Sequence, residues 1–140
     1  MRTTSFLSTL ALNSVVVFAV TTAVPAPLAA HHSFAAEFDI TKPVTLTGKV
    51  TKIEWTNPHA YLFIDVQDAQ SGAVTNWEIE MGSPNGLTRL GWTRTLVKAG
   101  DMVTVEGSMG RNKPNLANAR SVVMTATGKK LGAASSEATQ

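Results

Sequence analysis

Apolar and polar residues alternate along several separate stretches of this chain, which is the pattern of half-buried β-strands. The first stretch begins at Val44 and keeps its apolar residues at every second position as far as Val50, with Gly48 in the series. The alternation then changes phase, because the next apolar residues are Ile53 and Trp55. The pattern therefore predicts a β-bulge or a short coil near residues 51–52, inside a long strand that can serve both sides of a small barrel.

Four further strands follow. Alternation predicts strands at Tyr61–Asp68 and Val74–Met81, a fourth strand with Val103 and Val105 inward, and a fifth at Ala117–Thr125. The polar, glycine-containing stretch from Gly107 to Leu116 is predicted as the loop between the last two strands.

One short helix is predicted between the third and fourth strands. Ser83 suits the N-cap position, and Pro84 suits the first helical position. Leu87 and Leu90 are three residues apart, and Gly91 suits the residue that ends the helix. We therefore expect a helix of about two turns over residues 84–90, with Trp92 packed beneath it.

This order of elements predicts an all-β protein with one short helix, built as a five-stranded OB-like Greek-key barrel. A plain sandwich or an open sheet is the alternative. The predicted organisation is a signal peptide at residues 1–30, an N-terminal arm at 31–43, the barrel at 44–128 and a disordered tail at 129–140, where small and polar residues predominate.

The first thirty residues have the features of a Sec-type export signal. Arg2 precedes a mostly apolar stretch, which ends in small residues at Ala29 and Ala30. Cleavage after Ala30 would begin the mature protein at His31; the alternative is an uncleaved anchor. We expect a periplasmic bacterial protein with no stable membrane span after cleavage, because no other segment approaches the length of about 20 apolar residues that a span needs.

Composition excludes several classes of protein. The chain has 12 basic and 10 acidic residues, and Arg2 is the only charged residue in the signal, so the mature part carries 11 basic residues against 10 acidic ones. Such a balance gives no preference for nucleic acid. The absence of cysteine excludes disulfides, thiolate metal sites and cysteine nucleophiles. No Ser-His-Asp arrangement, phosphate loop or HExxH motif is found, so the sequence predicts a non-enzymatic protein.

Several short motifs together resemble a known family of small exported proteobacterial proteins classed as a domain of unknown function. They are HHSF at 31–34, WTNPH at 55–59, MGSPN at 81–85, GWTR at 91–94 and NARS at 118–121. The resemblance covers nearly all of the mature chain, and the one departure is Gly86, where an apolar residue is expected. It implies an exported protein with this fold and no established activity.

Three histidines are candidates for a metal site: His31, His32 and His59. After cleavage at Ala30, the terminal amine and the imidazole of His31 could share one ion, and His59 could add a third nitrogen. Cleavage one residue earlier would put a histidine in the third position. Nitrogen-rich sites of both kinds suit Cu(II), so copper is the possible cofactor. The alternative is that His31 and His32 form a solvated end and His59 caps a turn.

A second candidate site follows from the barrel topology. OB barrels bind ligands on a face between the loop that joins strands one and two and the loop that joins strands four and five. Here these loops and the adjacent second strand supply the candidates Asn57, His59, Tyr61, Phe63, Arg111, Asn112, Lys113 and Asn115. The alternative is that the N-terminal arm covers Tyr61 and Phe63 through Phe34 and Phe38.

The remaining aromatic and acidic residues are assigned structural roles. Trp55, Trp77 and Trp92 are predicted core residues, and Glu78 and Glu80 are predicted on an exposed strand face. The function predicted is an exported, non-enzymatic binding module for an unknown small ligand or a periplasmic protein. A copper-binding or copper-handling protein is the second hypothesis, and an enzyme accessory domain is the third.

Overall fold

The computed structural model describes residues 33–134, and the predicted signal peptide, His31 and His32 lie outside this range. The described chain is mostly β-structure. Its strands are β1 (Phe38–Glu54), β2 (Tyr61–Gln67), β3 (Val74–Glu80), β4 (Met102–Gly110), β5 (Leu116–Met124) and β6 (Lys129–Gly132), and its helices are α1 (Phe34–Glu37) and α2 (Pro84–Arg89).

The first five strands close on themselves. β1 pairs antiparallel with both β2 and β4, β2 pairs with β3, and β4 pairs with β5. A short parallel pairing of β3 with β5, through Glu78–Glu80 and Leu116–Asn118, completes the ring. This order is that of the predicted OB-like barrel, and closure leaves these strands without long unpaired edges.

The predicted irregularity in β1 is present. Val50 lies opposite Ile64 of β2, whereas Lys52 lies opposite Phe63, so the register shifts by one residue between them. The bulge lets β1 pair with β4 along its first part and with β2 along its second part. A local break in hydrophobic alternation therefore marks the point where the strand turns from one neighbour to the other.

The barrel interior holds aliphatic side chains from every strand of the ring. Trp92 is the largest of the buried residues, and its indole N–H donates to the carbonyl of Gly132 at 2.7 Å. Trp55 and Trp77 pack against this core but are half-buried. The prediction of three core tryptophans is therefore met fully by Trp92 and only in part by the other two.

Helix α2 begins and ends where the sequence predicts. The Ser83 hydroxyl accepts from the Gly86 amide at 3.2 Å, Pro84 follows the cap, and Leu87 is buried against the core. Gly91 has a φ of 91°, which a side chain would disfavour, and it redirects the chain toward Trp92.

The predicted N-terminal arm is shorter than residues 31–43. Strand β1 begins at Phe38, because Phe38 and Asp39 pair with Gly110 and Met109 at the far end of β4. The same pairing keeps β4 extended to Gly110, so the β4–β5 loop begins at Arg111 rather than Gly107. The arm and the β4–β5 loop were both predicted too long, because the last residues of the predicted arm and the first residues of the predicted loop pair with each other as strands.

The predicted disordered tail at 129–140 also needs correction over its first part. Lys129–Gly132 forms β6 on the outer edge of β5, with Leu131 buried opposite Val122. Ala133 continues this attachment, since its amide donates to the Arg120 carbonyl and its carbonyl accepts from the Gly82 amide. Residues 135–140 lie outside the described part of the chain.

Candidate functional site

A cleft of about 250 Å³ opens on the outer face of the barrel, beside the β3–β5 closure. Its lining comes from α1, β2, β3, the β4–β5 loop and the start of β5: Glu37, Tyr61, Glu78, Glu80, Asn112, Lys113 and Leu116. The sheet register explains the grouping. Glu78 and Glu80 are two residues apart and share a face, and Tyr61 lies directly opposite Glu80.

Glu80 is almost fully buried, with 6% of its surface exposed. Its carboxylate lies 3.2 Å from Nδ1 of His59 and accepts from the Asn118 side-chain amide at 3.4 Å. Burial raises the pKa of Glu80 above its usual value, and the neighbouring negative charge of Glu37 acts in the same direction. His59 opposes this shift, because a positive partner favours the ionised carboxylate.

His59 is held at the end of the β1–β2 turn. The Thr56 hydroxyl donates to the His59 carbonyl at 2.8 Å, which closes the turn around Pro58. Its Nδ1 faces the Glu80 carboxylate. The turn therefore presents the Nδ1 edge of the imidazole to the buried carboxylate.

Tyr61 stands beside these carboxylates. Burial raises the pKa of the Tyr61 hydroxyl, and the negative charges of Glu80, Glu78 and Glu37 raise it further. At the mouth of the cleft, Lys113 forms an ion pair with Glu78. The Lys113 side chain is 55% exposed, so this pair contributes little to stability.

Arg111 fixes the position of the N-terminal segment at the cleft. Its Nε donates to the carbonyls of Ala35 and Phe38 at 2.9 and 3.1 Å, and its amide donates to the Glu37 carbonyl at 2.8 Å. Its guanidinium also contacts Asp39 at 3.3 Å. Glu37 is thereby held at the rim, although α1 is only one turn long and contains no buried residue.

Comparison with known proteins identifies one family. The model of a Family of unknown function (DUF6152) matches residues 18–118, which is well over half of the chain. The chain belongs to this family. No curated protein and no solved structure matches it. The DUF6152 match thus supports the relationship inferred from the motifs, and it carries no activity with it.

The DUF6152 chain brings together some of the residues predicted at the binding face. Tyr61, Asn112 and Lys113 line the cleft, and His59 contacts it through Glu80. Arg111 instead binds the N-terminal segment, so the loop and the segment form one wall.

Three other predicted residues lie away from the cleft lining. Asn57 is exposed in the β1–β2 turn, and the ring of Phe63 lies under Lys52, with the ammonium 4.7 Å from the ring centroid. Asn115 has a φ of 57°, and its carbonyl accepts from the Glu78 amide at 2.9 Å, which attaches the loop to β3. Its role is to shape the loop.

The sequence did not predict the buried carboxylate. Glu80 was expected on an exposed strand face, but α1, the β1–β2 turn and β5 cover that end of β3. Asn118, which is 2% exposed and donates to Glu80, was also missed. Strand alternation correctly turns Glu80 away from the core, but it contains no information on what packs against the outer face.

Among residues 33–134, no group of three or more acidic or histidine side chains is arranged to hold a metal ion. The predicted metal ligands His31 and His32 are outside this range. Within the same range, neither helix has the length and apolar character required to cross a bilayer.

The buried carboxylate predicts a pH dependence of stability. The pKa of Glu80 is raised in the folded state, so ionisation of its carboxyl group favours the unfolded chain. The contribution of Glu80 to the free energy of unfolding is therefore fully present below its pKa in the unfolded chain, and it is lost as pH rises through its pKa in the folded protein. Relative to wild type, Glu80→Gln should therefore become progressively more stable as pH rises from 4 to about 8. Urea unfolding of both proteins across this range measures the effect, and a constant difference in unfolding free energy would contradict it.

Proposed function

We propose that this protein is an exported, periplasmic binding module that holds a small ligand in the cleft beside β3 and performs no reaction itself. The observation that carries the proposal is the position of the cleft. It lies against the β4–β5 loop and next to the β1–β2 turn, on the face that OB-like barrels use for ligands. Ligand sites are typically concave and carry a few polar groups, and Tyr61, Glu80 and Lys113 line this cleft.

The size of the cleft limits the ligand. A volume of about 250 Å³ corresponds to roughly eight waters at their liquid volume of about 30 Å³ each. This is below the range of about 300–1,000 Å³ for drug-sized ligands. A single small molecule fits the cleft better than a polymer or a large cofactor.

The export and non-enzymatic parts of the proposal are supported by the sequence. The first thirty residues have the organisation of a cleavable signal, and the chain has no cysteine and no recognisable nucleophile motif. Two of the cleft carboxylates are already engaged by other side chains, Glu78 by Lys113 and Glu80 by His59.

Fragment screening by NMR tests this proposal. The secreted, ¹⁵N-labelled protein is titrated with a library of fragments of about eight non-hydrogen atoms that spans positive, neutral and negative charge. We expect hits whose amide shifts cluster at residues 61, 80, 112 and 113, and which disappear in Tyr61→Ala. Hits that map to other surfaces, or no hits at all, would reject the cleft as a binding site.

Copper binding is the second candidate, favoured by the contact between His59 and Glu80. Metal-bound histidines commonly donate their other ring N–H to a carboxylate, and this contact places Nδ1 of His59 at 3.2 Å from Glu80. His31 is six positions before Glu37, a segment with an extended reach of about 20 Å. Cu(II) held by a mature N-terminus and His59 is therefore compatible with an arm anchored at the cleft.

The copper candidate is tested by isothermal titration with Cu(II). We expect one site in the secreted protein, weakened at pH 5 because imidazole and amine must lose their protons to bind. The affinity should also fall in His59→Ala and in a variant with one extra residue before the mature terminus. Binding that is unchanged by both alterations would reject the candidate.

A further inference from the structure

We propose that the ligand of the cleft is a small organic ammonium ion, a compound with one positively charged nitrogen on a short carbon chain. This inference rests on the proposed function, because it names the chemical class that the same cleft selects. It follows from the charges, the walls and the size of the site.

Negative charge predominates among the described side chains that line the cleft. Three are carboxylates, Glu37, Glu78 and Glu80, and one is an ammonium, Lys113. Lys113 is paired with Glu78, and His59 faces Glu80 from behind the lining. Glu37 forms no ion pair within residues 33–134, so a positive ligand would supply the partner that this carboxylate lacks there.

The effect of the carboxylates on one another supports this assignment. The negative charges of Glu37, Glu78 and Glu80 all raise the pKa of the nearby Tyr61 hydroxyl, and the charge of Glu37 also raises the pKa of the buried Glu80. An arriving cation relieves this repulsion, whereas an anion increases it. Because Glu80 is largely withdrawn from water, its interaction with a cation is screened less than that of a surface carboxylate.

The other walls suit the carbon part of such a ligand. Leu116 gives an apolar surface, and the Tyr61 ring can face either a carbon chain or the positive nitrogen itself. The Asn112 side chain adds a neutral polar group at the loop. A short chain that ends in an ammonium group matches both this lining and the volume of the cleft.

Three probes of nearly equal shape isolate the charge. Butylammonium, butanol and butyrate are each titrated into the secreted, ¹⁵N-labelled protein, with amide shifts followed at residues 61, 80 and 112. Butylammonium should bind in the cleft at least about tenfold more tightly than the other two, a difference of about 1.4 kcal/mol. Its affinity should also fall as salt is raised, because added ions screen the carboxylates.

Two variants and a control complete the test. Glu37→Gln should weaken butylammonium about tenfold and should still fold, since Glu37 lies on a one-turn helix without buried residues. Glu106→Gln is the matched control: Glu106 lies on β4, bonded to Ser121 and Lys130, and is absent from the cleft lining. It should leave the affinity unchanged.

The possible failures are distinct. If butanol or butyrate binds the cleft as tightly as butylammonium, the ammonium inference is wrong and the small-ligand function stands. An equal loss of affinity in Glu37→Gln and Glu106→Gln would also overturn it, since the effect would then come from net charge alone. If no member of the charged and neutral fragment library binds the cleft, the proposed function fails as well.

Discussion

Gly107→Ala is expected to destabilise the protein by about 3 kcal/mol or more, a large share of the roughly 5–15 kcal/mol that stabilises a domain. A Cβ at this position would lie 1.8 Å from the carbonyl oxygen of Asn118 and 2.8 Å from its carbonyl carbon. Both are backbone atoms of β5, which cannot rotate away as a side chain can. The two strands would have to separate at the register shift that follows Glu106. Urea unfolding followed by circular dichroism measures the loss.

Gly132→Ala is the control for this prediction. Gly132 is also in a strand, but a Cβ there would meet only Leu90 side-chain carbons, at 3.5 and 3.7 Å, which is ordinary contact. The free energy of unfolding of the Gly132→Ala protein should differ from that of wild type by less than about 1 kcal/mol, as for a substitution away from strained positions. A Gly107→Ala protein as stable as Gly132→Ala would show that β4 and β5 do not approach as closely as described.

Trp92→Ala is expected to cost about 3–5 kcal/mol, the usual range for removal of a buried aromatic side chain. Trp92 is 1% exposed and joins the chain after α2 to β6 through its bond to Gly132. The loss therefore combines a cavity in the core with the loss of the hydrogen bond to β6. Chemical unfolding monitored by tryptophan fluorescence and circular dichroism gives the value.

Two companion variants separate these contributions. Trp92→Phe keeps most of the apolar volume and removes the hydrogen bond, so it should cost about 0.5–1.5 kcal/mol, the usual net contribution of one hydrogen bond. Trp77→Ala, at a residue that the sequence predicts in the core, should cost less than Trp92→Ala because Trp77 is half-buried. Equal losses in Trp77→Ala and Trp92→Ala would contradict the burial described here.

The features of the fold that were predicted correctly depend on neighbours in sequence. The bulge after Val50 follows from a change of phase within a few residues, and the Ser83 cap and Gly91 stop are set within one helical turn. The features that were missed depend on distant partners. Residues 38–43 become strand because β4 lies beside them, and Leu131 anchors β6 only because β5 presents Val122.

The candidate site divides in the same way. Topology alone indicated the two loops and Tyr61, because the arrangement of an OB-like barrel determines which loops are adjacent. It did not indicate Glu37 or the burial of Glu80, since both depend on how the N-terminal segment packs. Arg111 was assigned to the ligand by type and position, whereas its donors are directed at the backbone of that segment.

The anchoring of α1 by Arg111 determines when the cleft can form as the chain folds. The Arg111–Ala35 contact spans 76 positions, and the Asn118–Glu80 contact spans 38. A chain that emerges N-terminus first presents Glu37 early but must wait for the β4–β5 loop and the start of β5 before this wall can assemble. Contacts of such long sequence separation slow folding. The cleft can therefore form only once residue 111 is available, and any chain that stops before residue 111 would retain all three carboxylates of the cleft without the wall that positions Glu37.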